Sequence, residues 1–236
     1  MQQPSQAASF AFNPMAPKTI LLWFLLLFFA GIAIGLSFHF DTPVRESMAQ
    51  LQGKGKVAKK APLSRFMNFA SKYGDWPELM AVGAVGFLIT WKLKKREWMK
   101  IIAAAMIAST LAGIIANTSR LTTGRPRPRE TATLGTQWYG PYHDGKLLIG
   151  NPSYNSFPSG HTATAIAFAA VFLFARPLFG IFLMIPALLI ASSRMFLGAH
   201  HLSDVITSTV LALFIAWFVW QFIQKRKPLI GEDSLI

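Results

Sequence analysis

Three short sequence patterns in the second half of the chain combine residue types that suit phosphate chemistry. They are Arg120-x6-Arg127-Pro128, Pro158-Ser159-Gly160-His161 and Ser193-Arg194-x5-His200-x3-Asp204. A guanidinium group matches the oxygens of a tetrahedral anion, and a histidine can attack or protonate near neutral pH. Each pattern adjoins an apolar run, and ionisable groups at membrane depth are costly enough to indicate a function. The patterns therefore point to phosphoryl chemistry at a membrane face.

The third pattern contains a candidate nucleophile. His200 and Asp204 are four residues apart, which on a helix places them on one face about one turn apart. The carboxylate can then accept a hydrogen bond from one imidazole N–H, which fixes the tautomer and leaves the lone pair of the other nitrogen free to attack phosphorus. A His–Asp pair that merely satisfies itself at a helix end is the alternative, but Arg194 brings an anion-binding group to the same turn. His201 has no carboxylate four residues on, so we interpret it as a bystander that faces lipid headgroups.

The second pattern is typical of a helix entrance, which Pro158 suits. The exposed N–H groups and positive end of such a helix can hold a phosphate. Ser159 could donate from its hydroxyl, and Gly160 would let the anion approach the backbone. His161 is then placed to protonate the leaving oxygen as a general acid. The same four letters fit equally well with a helix cap followed by a core histidine.

The first pattern supplies two further cations. Arg120 and Arg127 could neutralise the oxygens on which charge gathers during phosphoryl transfer. The alternative is an extended Arg-Pro segment that contacts anionic lipid, and we expect this role for Arg125 and Arg129.

The composition is that of a membrane protein. Apolar residues make up 53% of the 236 positions and charged residues only 14%, whereas soluble domains carry about 25% charged residues. The net charge of +13 arises from basic residues between apolar runs, where they would face lipid headgroups rather than nucleic acid. The absence of cysteine excludes disulfides and thiol chemistry. Since two-metal sites need several carboxylates and few lie near the patterns, we expect no metal and no cofactor.

Six apolar segments predict an all-α integral membrane bundle of six transmembrane helices. The segments span residues 19–38, 79–91, 101–119, 162–175, 177–193 and 205–224. The first is too long for the core of a cleaved signal peptide, and Lys18 is the only charge before it.

Basic residues predict the orientation of the bundle. The connection at 92–100 and the residues just after the last segment are rich in Lys and Arg, which places both in the cytoplasm. We therefore expect cytoplasmic tails at 1–18 and 225–236 around a membrane domain at 19–224. The loops at about 39–76 and 119–160 then lie outside, and all three patterns fall on that side.

Two stretches of the first outer loop have distinct compositions. Residues 50–60 are rich in Gly and Lys, and we expect them to be mobile. Residues 64–73 form an amphipathic segment, which fits either an interfacial helix or a loop helix packed on the bundle.

The three patterns resemble the signature of the type 2 phosphatidic-acid phosphatase and vanadium haloperoxidase superfamily. That signature reads Lys-x6-Arg-Pro, Pro-Ser-Gly-His and Ser-Arg-x5-His-x3-Asp, and the resemblance covers about residues 78–224. Arg120 stands where the family has lysine, which keeps the charge but changes the donor geometry. The resemblance implies a six-helix bundle without bound metal, in which His200 becomes phosphorylated, Asp204 supports it and His161 protonates the leaving group. It also implies a phosphate held by Arg120, Arg127, Ser159, Gly160 and Arg194.

The resemblance further implies a phosphatase that acts on a phosphorylated lipid. The predicted outward site and the compact bundle favour an envelope lipid, at the extracytoplasmic side of a bacterial cytoplasmic membrane. Phosphatidic acid, phosphatidylglycerol phosphate, undecaprenyl diphosphate and a lipid A phosphate are all compatible substrates. A phosphotransferase with the same intermediate and a lipid or sugar acceptor is an alternative. A non-enzymatic membrane carrier is disfavoured because the first, third and sixth segments are mainly apolar.

Overall fold

The computed structural model describes residues 17–53 and 60–225, which are mostly helical. The helices are α1 (Pro17–His39), α2 (Asp41–Gln52), α3 (Pro62–Tyr73), α4 (Trp76–Lys92), α5 (Arg96–Thr123), α6 (Thr131–Leu134), α7 (Gly160–Ala175), α8 (Pro177–Phe196) and α9 (Leu202–Lys225). Strands β1 (Tyr142–His143) and β2 (Lys146–Leu147) form an antiparallel hairpin. Most of the two predicted tails and of the Gly- and Lys-rich stretch lies outside the described residues.

Within residues 17–53 and 60–225, four helices are long and apolar enough to cross a membrane: α1, α5, α8 and α9. The prediction of an all-α membrane fold is thereby confirmed in outline. Helices α4 and α7 coincide with the second and fourth predicted spans, but they are only 17 and 16 residues long. The count of six spans and the position of the termini stay predictions.

Helix α7 lies at the centre of the bundle, where it packs against α5, α8 and α9. Nearly every side chain from its start to Phe172 is buried, as expected for a helix that is apolar on all sides. Small residues allow this close packing: a Cβ atom added at Gly113 of α5 would lie 2.7 Å from Cγ2 of Thr164. Because longer helices surround it, α7 can carry polar residues at its first turn without exposing them to lipid.

Helix α1 packs on the outside of the bundle through Trp23, whose ring centroid lies 4.3 Å from that of Trp217 in α9. Most of its other side chains are exposed, including Phe24, Leu27 and Phe29. Such a wide apolar surface is the kind that a bilayer covers.

The three sequence patterns meet at one end of the bundle, as predicted from the number of apolar segments that separate them. The first loop reaches this end through Asp41, which accepts hydrogen bonds from the backbone and hydroxyl of Ser203 in α9. Helix α3 reaches it through Ser71, which accepts a hydrogen bond from Arg194 of α8. The amphipathic segment is therefore a helix that packs on the bundle, with its serines turned inward and its aromatic residues partly exposed.

Candidate active site

His200 lies in the turn between α8 and α9 and is fully buried. Its Nδ1 is 2.5 Å from the backbone carbonyl of Ser156, so this nitrogen must carry the proton that the carbonyl accepts. Nε2 therefore presents its lone pair, and it has no hydrogen-bond partner among the described residues. Asp204 Oδ2 is 3.6 Å from Nδ1, which makes the Ser156 carbonyl the nearer acceptor and leaves Asp204 as a neighbouring negative charge.

The protonation state of His200 suits a nucleophile. Burial lowers the pKa of His200 to about 4, and the nearby Arg194 and Arg127 act in the same direction while Asp204 opposes them. The imidazole is thus neutral at pH 7, which nucleophilic attack requires.

His161 is the second residue of α7 and its side chain is 22% exposed. Its Nε2 is 3.7 Å from the Asp75 carboxylate, and Asp75 is fixed as the N-cap of α4 by accepting from the backbone N–H of Trp76. Arg194 and His200 are close enough for their charges to act on His161. The two histidines of the second and third patterns therefore belong to one site.

Ser159 and Gly160 have clear local roles at the start of α7. Ser159 is fully buried and caps the helix, because its Oγ accepts from the backbone N–H of Thr162 at 3.4 Å. A Cβ atom at position 160 would lie 2.8 Å from Oδ1 of Asn117 in α5, so only glycine permits this contact. The capping and packing roles are present in the structure, and phosphate binding by these two residues stays a prediction.

Three arginines surround the two histidines. Arg120, Arg127 and Arg194 each bury an Nε atom that has no hydrogen-bond partner within the described part of the chain. Arg120 is held by Asn117, whose Oδ1 accepts from Nη2 at 2.7 Å. Such buried donors favour an anion as their partner.

The arginine charges also repel one another. Burial lowers the pKa of Arg127 to about 10, and the positive charges of Arg129, Arg120 and Arg194 act in the same direction, against Glu130. Arg127 remains protonated at neutral pH, so the repulsion persists there. A bound dianion would relieve it, which is the electrostatic condition for a phosphate site.

The structure corrects the interpretation of two residues. Arg125 does not face lipid: it is 5% exposed and lies between Asp41 and Asp204, at 2.6 and 2.5 Å. His201 does not face headgroups either, since it is buried and its Nε2 is 3.1 Å from the carbonyl of Pro126. Arg125 lies inward because the buried carboxylates need a cation as partner. Arg129 does remain near the surface, beside Glu130.

Several residues that the patterns do not include complete the site. The sequence gives Asp41, Ser71 and Asp75 no helical spacing to the three patterns, because they come from the preceding loop. Asn117 could have been found from its position one turn before Arg120. The contribution of Ser156 is a backbone carbonyl, which no side-chain pattern reveals.

The buried neutral state of His200 predicts a specific pH dependence of stability. The histidine in the unfolded chain has a pKa of about 6.5, so it takes up a proton before the folded protein does as pH falls. The stability is therefore complete at neutral pH and is lost as pH falls from 6.5 towards 4. Between pH 7 and pH 5, the free energy of unfolding should fall by about 2 kcal/mol more in the wild type than in His200→Gln. Denaturant unfolding in detergent measures this difference, and identical pH responses of the two proteins would contradict the buried neutral state.

The comparisons with known proteins agree with this geometry. Residues 98–228, more than half of the chain, match the PAP2 superfamily. A lipid A 1-phosphatase of Rhizobium johnstonii is 28% identical over 210 residues, which cover 84% of this chain and 78% of that protein. The undecaprenyl-diphosphatase BcrC of Bacillus subtilis is 28% identical over 169 residues, or 71% of this chain and 79% of that protein.

The fold is also that of a known membrane protein. The crystal structure of a transmembrane PAP2 type phosphatidylglycerolphosphate phosphatase from Bacillus subtilis superposes with a TM-score of 0.55 at 19% identity, covering 91% of this chain and all of that one. With the matched sequence region and the converging patterns, this likeness shows that the chain belongs to the PAP2 superfamily.

Proposed function

We propose that the protein is a membrane phosphatase that removes phosphate from a phosphorylated lipid through a phosphohistidine intermediate. The observation that carries this proposal is the Nε2 atom of His200, which presents a lone pair in a site where three buried arginine Nε donors lack partners among the described residues. A neutral nucleophile beside several fixed cations is the arrangement that phosphoryl transfer needs.

In the first step, Nε2 of His200 attacks phosphorus and a bond forms between them. The bond from phosphorus to the lipid oxygen breaks, and that oxygen takes a proton from His161. Burial and the charge of Arg194 lower the pKa of His161 to about 4. Asp75, at 3.7 Å, opposes this shift and so favours the protonated form that transfers the proton. The arginines carry the charge of the phosphoryl oxygens throughout.

In the second step, water attacks the phosphohistidine. His161, now neutral, accepts a proton from this water, and the bond between Nε2 and phosphorus breaks to release inorganic phosphate. The buried carboxylates Asp41 and Asp204 both form ion pairs with Arg125. This pairing supports a reaction in which arginines, and not metal ions, stabilise the phosphate.

An apolar groove next to the site supports a lipid substrate. It has a volume of about 310 Å³ and lies between α3, α4, α7 and α8. Its lining is almost wholly apolar and includes Phe66, Phe69, Val82, Phe168 and Leu189. The exposed side chain of Val82 at its edge places the groove on the outer surface of the bundle, where a lipid chain can enter from the bilayer.

The groove continues the helix faces that carry the candidate catalytic residues. On α7, Ala165 and Phe168 follow His161 at spacings of four and seven, and on α8 Ile190 precedes Arg194 by four. These spacings place the groove residues on the same faces as the polar ones, about one to two turns away. A lipid with its phosphate among the arginines would therefore lay its chain in the groove.

The basic turn at residues 92–100, between α4 and α5, indicates the orientation of the protein in the membrane. Helix α5 has 28 residues and is about 40 Å long, and its first residues follow the Lys-rich turn while its last carry Arg120. The basic turn and the candidate active site therefore lie at opposite ends of α5. Since short basic connections favour the cytoplasm, we place the site at the extracytoplasmic face and keep six spans with both termini inside.

The relatives favour an envelope lipid as the substrate. One is named for lipid A phosphate and another for undecaprenyl diphosphate. In detergent containing EDTA, the purified protein should release phosphate from at least one of four lipids: phosphatidic acid, phosphatidylglycerol phosphate, undecaprenyl diphosphate and lipid A 1-phosphate. No release from any of them, or release that EDTA abolishes, would contradict the proposal.

A pair of variants in α4 provides the matched control for the lipid chain. Val82→Trp should fill the groove and reduce turnover of the lipid substrate about tenfold, while turnover of water-soluble p-nitrophenyl phosphate stays within about twofold. Val85→Trp changes an exposed residue of the same helix that does not line the groove, so it should leave both activities unchanged. Equal effects of the two variants on both substrates would contradict a chain-binding groove.

A further inference from the structure

Asp41 joins a buried network that begins far from the three sequence patterns. It is the first residue of α2 and is 8% exposed. Its carboxylate accepts from the backbone N–H of Ser203 at 2.8 Å, from the Ser203 hydroxyl at 2.7 Å and from Nη2 of Arg125 at 2.6 Å. Asp41 thus fixes the first turn of α9, the helix that also carries Asp204.

Arg125 connects the two carboxylates of the network. Its Nη2 donates to Asp41, and its Nη1 donates to Asp204 at 2.5 Å. The guanidinium lies near three aromatic rings, with its Cζ 5.2 Å from the centroid of Phe38, 5.1 Å from Trp138 and 5.9 Å from Phe157. These rings hold the cation in place and exclude water from it.

Asp204 in turn holds the residues that position His200. Its Oδ2 accepts from the Ser156 hydroxyl at 2.5 Å and from the backbone N–H of His201 at 2.7 Å. Ser156 supplies the carbonyl that binds Nδ1 of His200, and His201 is the next residue in the chain. A shift of Asp204 would therefore move the imidazole from both sides.

The charges of the network explain why two carboxylates share one arginine. Asp41 and Asp204 together carry two negative charges against one positive charge on Arg125, so the three groups retain a net charge of −1. When Nε2 attacks phosphorus while Nδ1 keeps its proton, the ring of His200 becomes positive. The residual negative charge of Asp204, 3.6 Å from Nδ1, stabilises that positive ring.

From these contacts we infer that Asp41 is a positioning residue for the reaction: by sharing Arg125 it leaves part of the negative charge of Asp204 uncompensated, and it holds Asp204 in place behind His200. The inference rests on the proposed function of His200 as nucleophile. If Asp41 loses its charge, Arg125 is left with Asp204 as its only carboxylate partner in the described network and neutralises it.

The test compares Asp41→Asn with Glu46→Gln, an exposed carboxylate on the same helix. In the full-length protein, Asp41→Asn should lower kcat about 10- to 100-fold, because small displacements of a nucleophile have effects of this size. KM should change less than about threefold, since the phosphate-binding arginines are untouched. Glu46→Gln should change neither, and a kcat of Asp41→Asn equal to that of the wild type would overturn the inference.

A double variant separates positioning from a general effect on folding. If Asp41 acts through Asp204, adding Asp41→Asn to Asp204→Asn should reduce kcat less than about threefold further. A further loss equal to that of the single variant would overturn the inference. If Asp41→Asn does not fold, Arg125→Lys replaces it, because a single ammonium nitrogen cannot reproduce the two separate Nη donors to Asp41 and Asp204. It should lower kcat by a similar factor, and a wild-type kcat in Arg125→Lys would overturn the inference.

A measurement that does not depend on turnover distinguishes this inference from the proposed function. In protein labelled with ¹⁵N-histidine, the Nδ1–H signal of His200, identified by its loss in His200→Gln, should be slow to exchange. It should exchange faster in Asp41→Asn and stay unchanged in Glu46→Gln. An unchanged signal in Asp41→Asn contradicts the role of Asp41, whereas a wild-type protein that releases no phosphate contradicts the proposed function.

Discussion

His200→Gln is expected to lower phosphate release by about 10⁴-fold or more, because it removes the group that we propose as the nucleophile of the covalent intermediate. Glutamine keeps a polar side chain of similar size in the buried turn, so the loss should not come from unfolding. Its amide can still donate to the Ser156 carbonyl, which Nδ1 contacts in the wild type. The rate of phosphate release in detergent, with size-exclusion profiles of both proteins, measures the effect.

The covalent step can be observed directly. With a ³²P-labelled lipid and an alkaline quench, wild-type protein should retain labelled phosphate, since a phosphoramidate bond survives alkali. His200→Gln should retain none, and His143→Gln, which changes a partly exposed histidine of the hairpin, should behave like the wild type. Substantial turnover by His200→Gln would show that water attacks the phosphate without a histidine intermediate.

The helices and the convergence of the patterns were predictable because both depend on local sequence. Apolar runs mark α1, α5, α8 and α9 directly, and alternation of the runs places the three patterns at one end. The start of α7 was predictable from the second pattern and not from hydropathy. The apolar segment begins only at residue 162, whereas the pattern Pro158–His161 predicted a helix entrance, and Ser159 does cap a helix that begins at Gly160.

The environments of Arg125 and His201 were not predictable for a different reason. The partner of Arg125 in α2 is 84 residues earlier in the chain, and the two meet only when α2 folds over the start of α9. A contact between residues so far apart in the chain cannot be predicted from their spacing in the sequence. An arginine in an Arg-Pro-Arg-Pro-Arg segment is expected to be exposed, although two carboxylates and three aromatic rings surround Arg125 here.

The contact between His200 and Asp204 was predictable only in part. Their spacing of four correctly places them near each other, at 3.6 Å, but helix geometry alone could not show that a backbone carbonyl lies closer. The carbonyl comes from Ser156, whose conformation depends on Asp204 itself. Asp204 therefore lies next to His200 as predicted, but its hydrogen bonds hold Ser156 and the backbone of His201.

Arg127→Ala is expected to lower kcat/KM about 10²- to 10³-fold, the usual loss when one fixed donor to a developing anion is removed. Arg127 is the member of the arginine cluster with the most positive neighbours, since Arg129, Arg120 and Arg194 all act on it. Part of the cost of assembling these charges is offset only when phosphate binds. The apparent affinity for inorganic phosphate, measured as product inhibition, should accordingly fall with kcat/KM.

Two substitutions distinguish the geometry of Arg127 from its charge. Arg127→Lys keeps the charge but replaces a planar fork by a single ammonium group, so it should recover less than about a tenth of the lost activity. Arg129→Ala removes a half-exposed cation that pairs with Glu130 and should cost less than about threefold. If Arg127→Lys were fully active, a positive charge alone would suffice at position 127. The same would then hold at position 120, where this chain has arginine and the family signature has lysine. A large loss in Arg127→Lys instead means that the first pattern binds phosphate through directed hydrogen bonds, and the fork of Arg120 then adds donors that a lysine there lacks.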